Sequence, residues 1–169
     1  MIEAVMSRSR PDADLLPETA ALSAPGCRPK SNILSPLVAL LAHADEKAAA
    51  HFREVFEDVA CDWRLVRVPD GTAATRHVVN KGLPDLLVLG PDLPQVGGPE
   101  LVEWMRSFRG ACPIPILVCG DPADAEARER FIRLEVRQMV PASAPRPVLA
   151  AQLAELVAQV ENRRFALPA

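Results

Sequence analysis

Beyond about residue 35 the chain alternates short apolar runs with longer amphipathic segments, the pattern of β and α units laid down in turn. Five runs predict strands: Leu37 to Ala42 (LVALLA), Arg64 to Val68 (RLVRV), Leu86 to Leu89 (LLVL), Ile114 to Cys119 (IPILVC) and Val136 to Val140 (VRQMV). The first, third and fourth are apolar at consecutive positions, as central parallel strands covered on both faces must be. The second and fifth are more polar and read as edges.

The segments between them have helical length. Asp45 to Ala60 sets Ala49, Phe52, Val55, Phe56 and Val59 on one stripe. Asp70 to Lys81 runs into Gly82, a C-terminal stop. Pro99 to Phe108 presents Leu101, Val102, Met105 and Phe108 in the same manner, and Asp121 with Pro122 supplies an N-cap and first-turn proline for a helix reaching about Arg133. The last helix, Pro147 to about Arg163, carries Leu149, Leu153, Leu156, Val157 and Val160 on one face. Five β/α units joined by connections too long for hairpins require right-handed crossovers. The expected fold is therefore an α/β three-layer sandwich around a parallel five-stranded sheet. A flavodoxin-like (βα)5 strand order, 2-1-3-4-5, puts the two polar strands at the edges.

Composition narrows the function classes. The 169 residues are 49% hydrophobic, enough for one substantial core. A net charge of -3 and a pI of about 5.6 give no broad attraction to phosphate backbones, and no local basic patch suggests nucleic-acid binding. Cys27, Cys61, Cys112 and Cys119 show neither CxxC spacing nor histidines at zinc-ligand intervals. They read as reduced thiols of a cytoplasmic protein, with Cys61 and Cys119 as small core residues. No apolar run approaches a membrane span, so no membrane insertion is expected. Residues 1–34, with Pro11, Pro17, Pro25 and Pro29 among Ser, Arg and Ala, predict a disordered arm with at most a helical turn near Glu18 to Ser23. The domain then occupies 35–165, and 166–169 form a short tail.

Around the third strand, Pro84 and Asp85 precede the apolar run, Gly90 follows it, and Pro94 and Gly98 fall four and eight residues further on. This frame resembles the receiver (CheY-like) domain of bacterial response regulators, over roughly Pro36 to Phe165. In that family the third strand ends in a phosphoacceptor aspartate, with proline and glycine at those two offsets, so the resemblance places Gly90 at the acceptor position. The acidic pair that holds magnesium after the first strand is matched by Ala42 and His43. The switch hydroxyl ending the fourth strand is matched by Gly120, or by Cys119 if the register slips by one. Pro141 stands for the lysine ending the fifth strand, and Gln138 for the switch aromatic. Glycine has no nucleophile, proline has no cation to neutralise an acyl phosphate, and Ala42 and His43 offer a hard cation no oxygen. The resemblance thus implies a degenerate pseudo-receiver with no metal, no cofactor and no enzymatic activity.

Three aspartates remain in loops at the carboxyl ends of central strands, Asp45, Asp92 and Asp121, the edge where open α/β sheets bind ligands. Either they converge on a cation or a shifted phosphorylation position, or Asp45 and Asp121 cap helices while Asp92 is a solvated loop residue. A cap is the commoner role, each worth about 1 kcal/mol. His43 invites the same comparison between a ligand and a structural side chain, and a lone imidazole favours the second. His51 and His77 have no partner in sequence. No glycine-rich phosphate loop, nucleophile elbow or paired catalytic carboxylates occur.

Without a reacting group, function falls to surfaces. In receivers the face of the fourth helix, fifth strand and fifth helix commonly mediates docking or dimerisation, so the resemblance nominates Arg128, Phe131, Arg133, Gln152, Glu155, Arg163 and Arg164. Phe131, Ile132 and Leu134 are expected beneath the charges of the fourth helix. Arg163, Arg164 and Phe165 form a basic and aromatic tip, although a helix C-terminus attracts cations unaided. The leading expectation is a phosphorylation-independent protein-interaction module in a two-component or related pathway, bound to a histidine kinase, another regulator or a copy of itself. The alternative is a small-ligand or nucleotide sensor using the vacated crevice beside His43, Gly90 and Gly120.

Overall fold

The computed structural model describes residues 35–108, 114–122 and 124–165. The arm expected over 1–34, the tail at 166–169, Cys27 and Cys112 lie outside them. Strands β1 (Val38–Ala42), β2 (Arg64–Val68), β3 (Leu86–Leu89), β4 (Ile116–Cys119) and β5 (Gln138–Val140) alternate with helices α1 (Glu46–Val59), α2 (Gly71–Lys81), α3 (Gly98–Arg106), α4 (Ala125–Arg133) and α5 (Arg146–Phe165). All the strand pairings are parallel and the sheet runs β2-β1-β3-β4-β5, the expected flavodoxin-like order.

The consecutive apolar residues of the central strands have a simple cause. Alternate side chains enter two separate cores. Ala39 and Leu41 of β1, Leu86 and Val88 of β3 and Leu117 of β4 pack with α1 and α5; Leu40, Ala42, Leu87, Leu89, Ile116 and Val118 pack with α2, α3 and α4. Across the sheet, α1 contributes Ala49, Phe52, Val55 and Phe56, and α5 contributes Leu149, Leu153, Leu156, Val157 and Val160, as their spacing predicts. Val59 packs only partly. Phe108 lies beyond α3 and meets Trp104 edge-on, their centroids 4.7 Å apart.

Local signals set most helix ends. Asp45 accepts from the Lys47 amide at 2.8 Å and Asp70 from the Ala73 amide at 2.6 Å, each satisfying an otherwise orphan donor. Gly82, at φ 90°, closes α2 with its amide on the Val78 carbonyl. Asp121 does not cap α4. The cap is Asp124, which accepts from the Glu126 amide at 3.0 Å, and the helix begins at Ala125. Asp121 and Pro122 belong to the connection from the sheet to the helical layer. Cys61 also departs from expectation: it occupies the turn after α1 and is exposed, despite its apolar neighbours in sequence.

Candidate functional site

The carboxyl ends of β1, β3, β4 and β5 bring Ala42, His43, Gly90, Gly120 and Pro141 to one edge. Main-chain bonds hold them in register: Gly90 donates to the Ala42 carbonyl at 2.7 Å, Gly120 to Val140 at 2.8 Å, and His43 to Val68 at 3.1 Å. The positions matched to a phosphotransfer site in the sequence therefore lie along one edge, apart from Gln138, two residues before Val140 on β5.

Side chains pack against both glycines of this edge. A Cβ added to Gly90 would lie 3.0 Å from His43 Cδ2, 3.2 Å from Cγ and 3.3 Å from Nε2, so the imidazole rests directly on this glycine. Gly120 has φ +126°, a conformation L side chains rarely adopt, and a Cβ there would stand 2.8 Å from Pro91 Cδ. One ring covers the acceptor position and another covers the switch position. Side chains thus lie against both glycines beside which the crevice is expected.

His43 is half-buried and held by the main chain. Its Nδ1 accepts from the Asp45 amide at 3.1 Å, which places the proton of the neutral ring on Nε2. Burial lowers its pKa below the ordinary 6.5 and Arg67 acts in the same direction, while the Asp45 carboxylate partly opposes it. Burial pushes the Cys119 thiol up to about 12, so it is no candidate nucleophile.

The three loop aspartates do not converge. Asp45 caps α1, while Asp92 and Asp121 are exposed, and no three His, Cys, Asp or Glu side chains gather in a metal-holding arrangement among the described residues. Ala42, His43 and Gly90 supply no side-chain oxygen, so this donor set does not fit a magnesium ion. Pro141 is exposed. Gln138 is registered with Leu117, and its enclosed Oε1 has no hydrogen-bond partner among the described residues. An orphaned acceptor of this kind costs roughly 1–3 kcal/mol.

A shallow groove of about 370 Å³ lies to the side, lined by Asp92, Leu93, Gly98, Pro99, Asp124 and Arg130 among others. It includes none of His43, Gly90 or Gly120. Arg130 bridges α4 to Glu100 and Glu103 of α3, and its hydrogen bond holds the Glu100 carboxyl below its ordinary pKa.

The nominated docking residues divide. Phe131 is wholly buried, its ring so close to Gly98 that a Cβ there would be 2.7 Å from Cζ; it cannot contact a partner. Ile132 points outward instead, 58% exposed. Arg128, Arg133 and Glu155 are exposed, with Arg133 paired to Glu129 at 3.1 Å, and Gln152 is half-buried. Arg164 donates to the Ser35 carbonyl at 2.8 Å, and Glu161 accepts from the Trp63 indole at 3.1 Å. The end of α5 therefore lies by the starts of β1 and β2, away from the β5 edge. Arg163 and Arg164 do not share a face with α4. The side chain of Phe165 lies outside the described set.

No family model matches the sequence, and no curated protein matches it. Solved structures do match, among them receiver domains and response regulators. A CheY-like receiver domain protein from Methanospirillum hungatei aligns with a TM-score of 0.64 at 13% identity, over 76% of this chain and 99% of the other. The chemotaxis response regulator CheY4 of Vibrio cholerae gives 0.61 at 15% identity, over 72% and 99%. The receiver domain of a signal transduction histidine kinase from Syntrophus aciditrophicus gives 0.63 at 19% identity, over 73% and 92%. At these identities the likeness establishes the fold.

Proposed function

We propose that this chain is a receiver-like signalling module that works without phosphorylation, through protein contacts, in a two-component or related pathway. The observation that carries the reading is the imidazole of His43 seated on Gly90 at the end of β3. A receiver working by phosphotransfer needs a carboxylate at that position, a cation beside it and a hydroxyl across from it. Here the first is glycine, the second faces a half-buried imidazole, and the third is a glycine covered by Pro91. Filling both positions favours a protein surface over a small-ligand crevice as the means of signalling.

The docking surface includes the outer side of α4 and the start of α5. Ile132 is 58% exposed on α4 among Arg128, Glu129 and Arg133, and Val148 is 46% exposed at the start of α5. The partner is a histidine kinase, another regulator or a second copy of the chain. Affinity capture with the full chain, compared with Ile132→Glu and Arg133→Glu variants, tests the surface. Loss of one specific protein, with folding retained, supports the reading; recovery of the same proteins by every variant contradicts it.

A further inference from the structure

The imidazole of His43 bridges the loop leading to α1 and the end of β3. Its Nδ1 accepts from the Asp45 amide in the loop leading to α1, and its ring face lies on Gly90 after β3. We propose that His43 is a proton-operated latch: the neutral ring pins the β1–α1 loop onto the end of β3, and protonation releases it.

The chemistry of each contact sets the direction. An imidazole accepts at Nδ1 only while neutral, and the imidazolium has donors at both nitrogens. Protonation therefore turns the Asp45 amide and Nδ1 into two donors facing each other. It also places a charge against the apolar end of the sheet, where it lacks full solvation.

The charged and titratable neighbours come from each packed segment. On the loop, the Asp45 carboxylate attracts the cation. On β2, Arg67 repels it, though Glu46 lies 4.0 Å from that guanidinium and offsets part of its charge. From β4, the Cys119 thiol stays neutral throughout the physiological range. From β3, Gly90 has no side chain. Burial and Arg67 outweigh the attraction, so the seated ring resists protonation; the charged ring, once released, uncovers Gly90. Such a latch operates whether or not a partner docks on α4.

The test is a two-dimensional NMR titration of the full chain from about pH 8 to about pH 5, the range in which a histidine changes charge. The latch predicts that the His43 ring and the amides of Asp45, Gly90 and Gly120 move together with one midpoint below 6.5. His43→Asn, which keeps an acceptor near Nδ1 but cannot titrate, abolishes these coupled movements. A ring midpoint at or above 6.5, amides that ignore the ring, or the same movements persisting in His43→Asn overturns the proposal. Should His43→Asn fail to fold, the wild-type titration decides alone, because ring and amides with separate midpoints contradict a latch.

Discussion

His43 and Gly90 divide one volume between them, since a Cβ on Gly90 would come within 3.0 Å of the imidazole Cδ2. Restoring an aspartate at position 90 therefore meets a ring before it meets a cation. Gly90→Asp is expected to cost about 1–3 kcal/mol in urea unfolding, as overpacking does. Adding His43→Ala should recover more than about 0.5 kcal/mol of that loss relative to the sum of the single changes. Additive single effects would show that the two positions do not share space.

Gly120 adopts φ +126° with Pro91 against it, so a serine there is strained as well as crowded. Gly120→Ser, although it restores a hydroxyl at the switch position, should lower stability by about 1–3 kcal/mol. The check is a lower urea midpoint with an unchanged slope.

The depressed pKa of His43 makes stability depend on pH. In the range between its folded pKa and 6.5 the unfolded chain binds the proton more readily, so stability rises with pH there. The contribution of His43 is complete above 6.5 and is lost as pH falls through the folded value. Thermal unfolding should show a midpoint that declines on acidification from 6.5, and His43→Asn should decline less over the same interval.

Phe131 and Arg133 are close in sequence and opposite in role. Phe131→Ala removes a wholly buried ring and should cost about 3–5 kcal/mol, whereas Arg133→Glu on the exposed side should stay within roughly 0.5 kcal/mol. Chemical denaturation of both variants separates the two. A partner contact on α4 then shows as lost binding by Arg133→Glu at undiminished stability.

The fold was readable wherever apolar residues were plentiful. In β1, β3 and β4 consecutive apolar positions left no other element that both cores could accept, and the polar β2 and β5 fell at the edges as expected. Legibility failed where few residues carried the signal. In α4, Phe131 and Ile132 are adjacent and only one can face inward, and a helix with so little apolar content cannot show which. Asp121 and Asp124 are both good caps, and the choice depended on the span from β4 to the helical layer, a tertiary distance. Cys61 shared the apolar neighbourhood of a core residue but stood in a turn. The seating of His43 on Gly90 depends on two neighbouring strands and could not be read from either segment alone. A bulky residue paired with a glycine at two matched positions was the available signal.

A receiver-like module that works without phosphorylation has no working phosphoacceptor. Incubation of the full chain with acetyl phosphate and magnesium, followed by intact-mass measurement, tests this most directly. Unchanged mass, under conditions in which an ordinary receiver domain gains a phosphoryl group, is the predicted result. A phosphoryl adduct mapped to Asp45, Asp92 or Asp121 would contradict it.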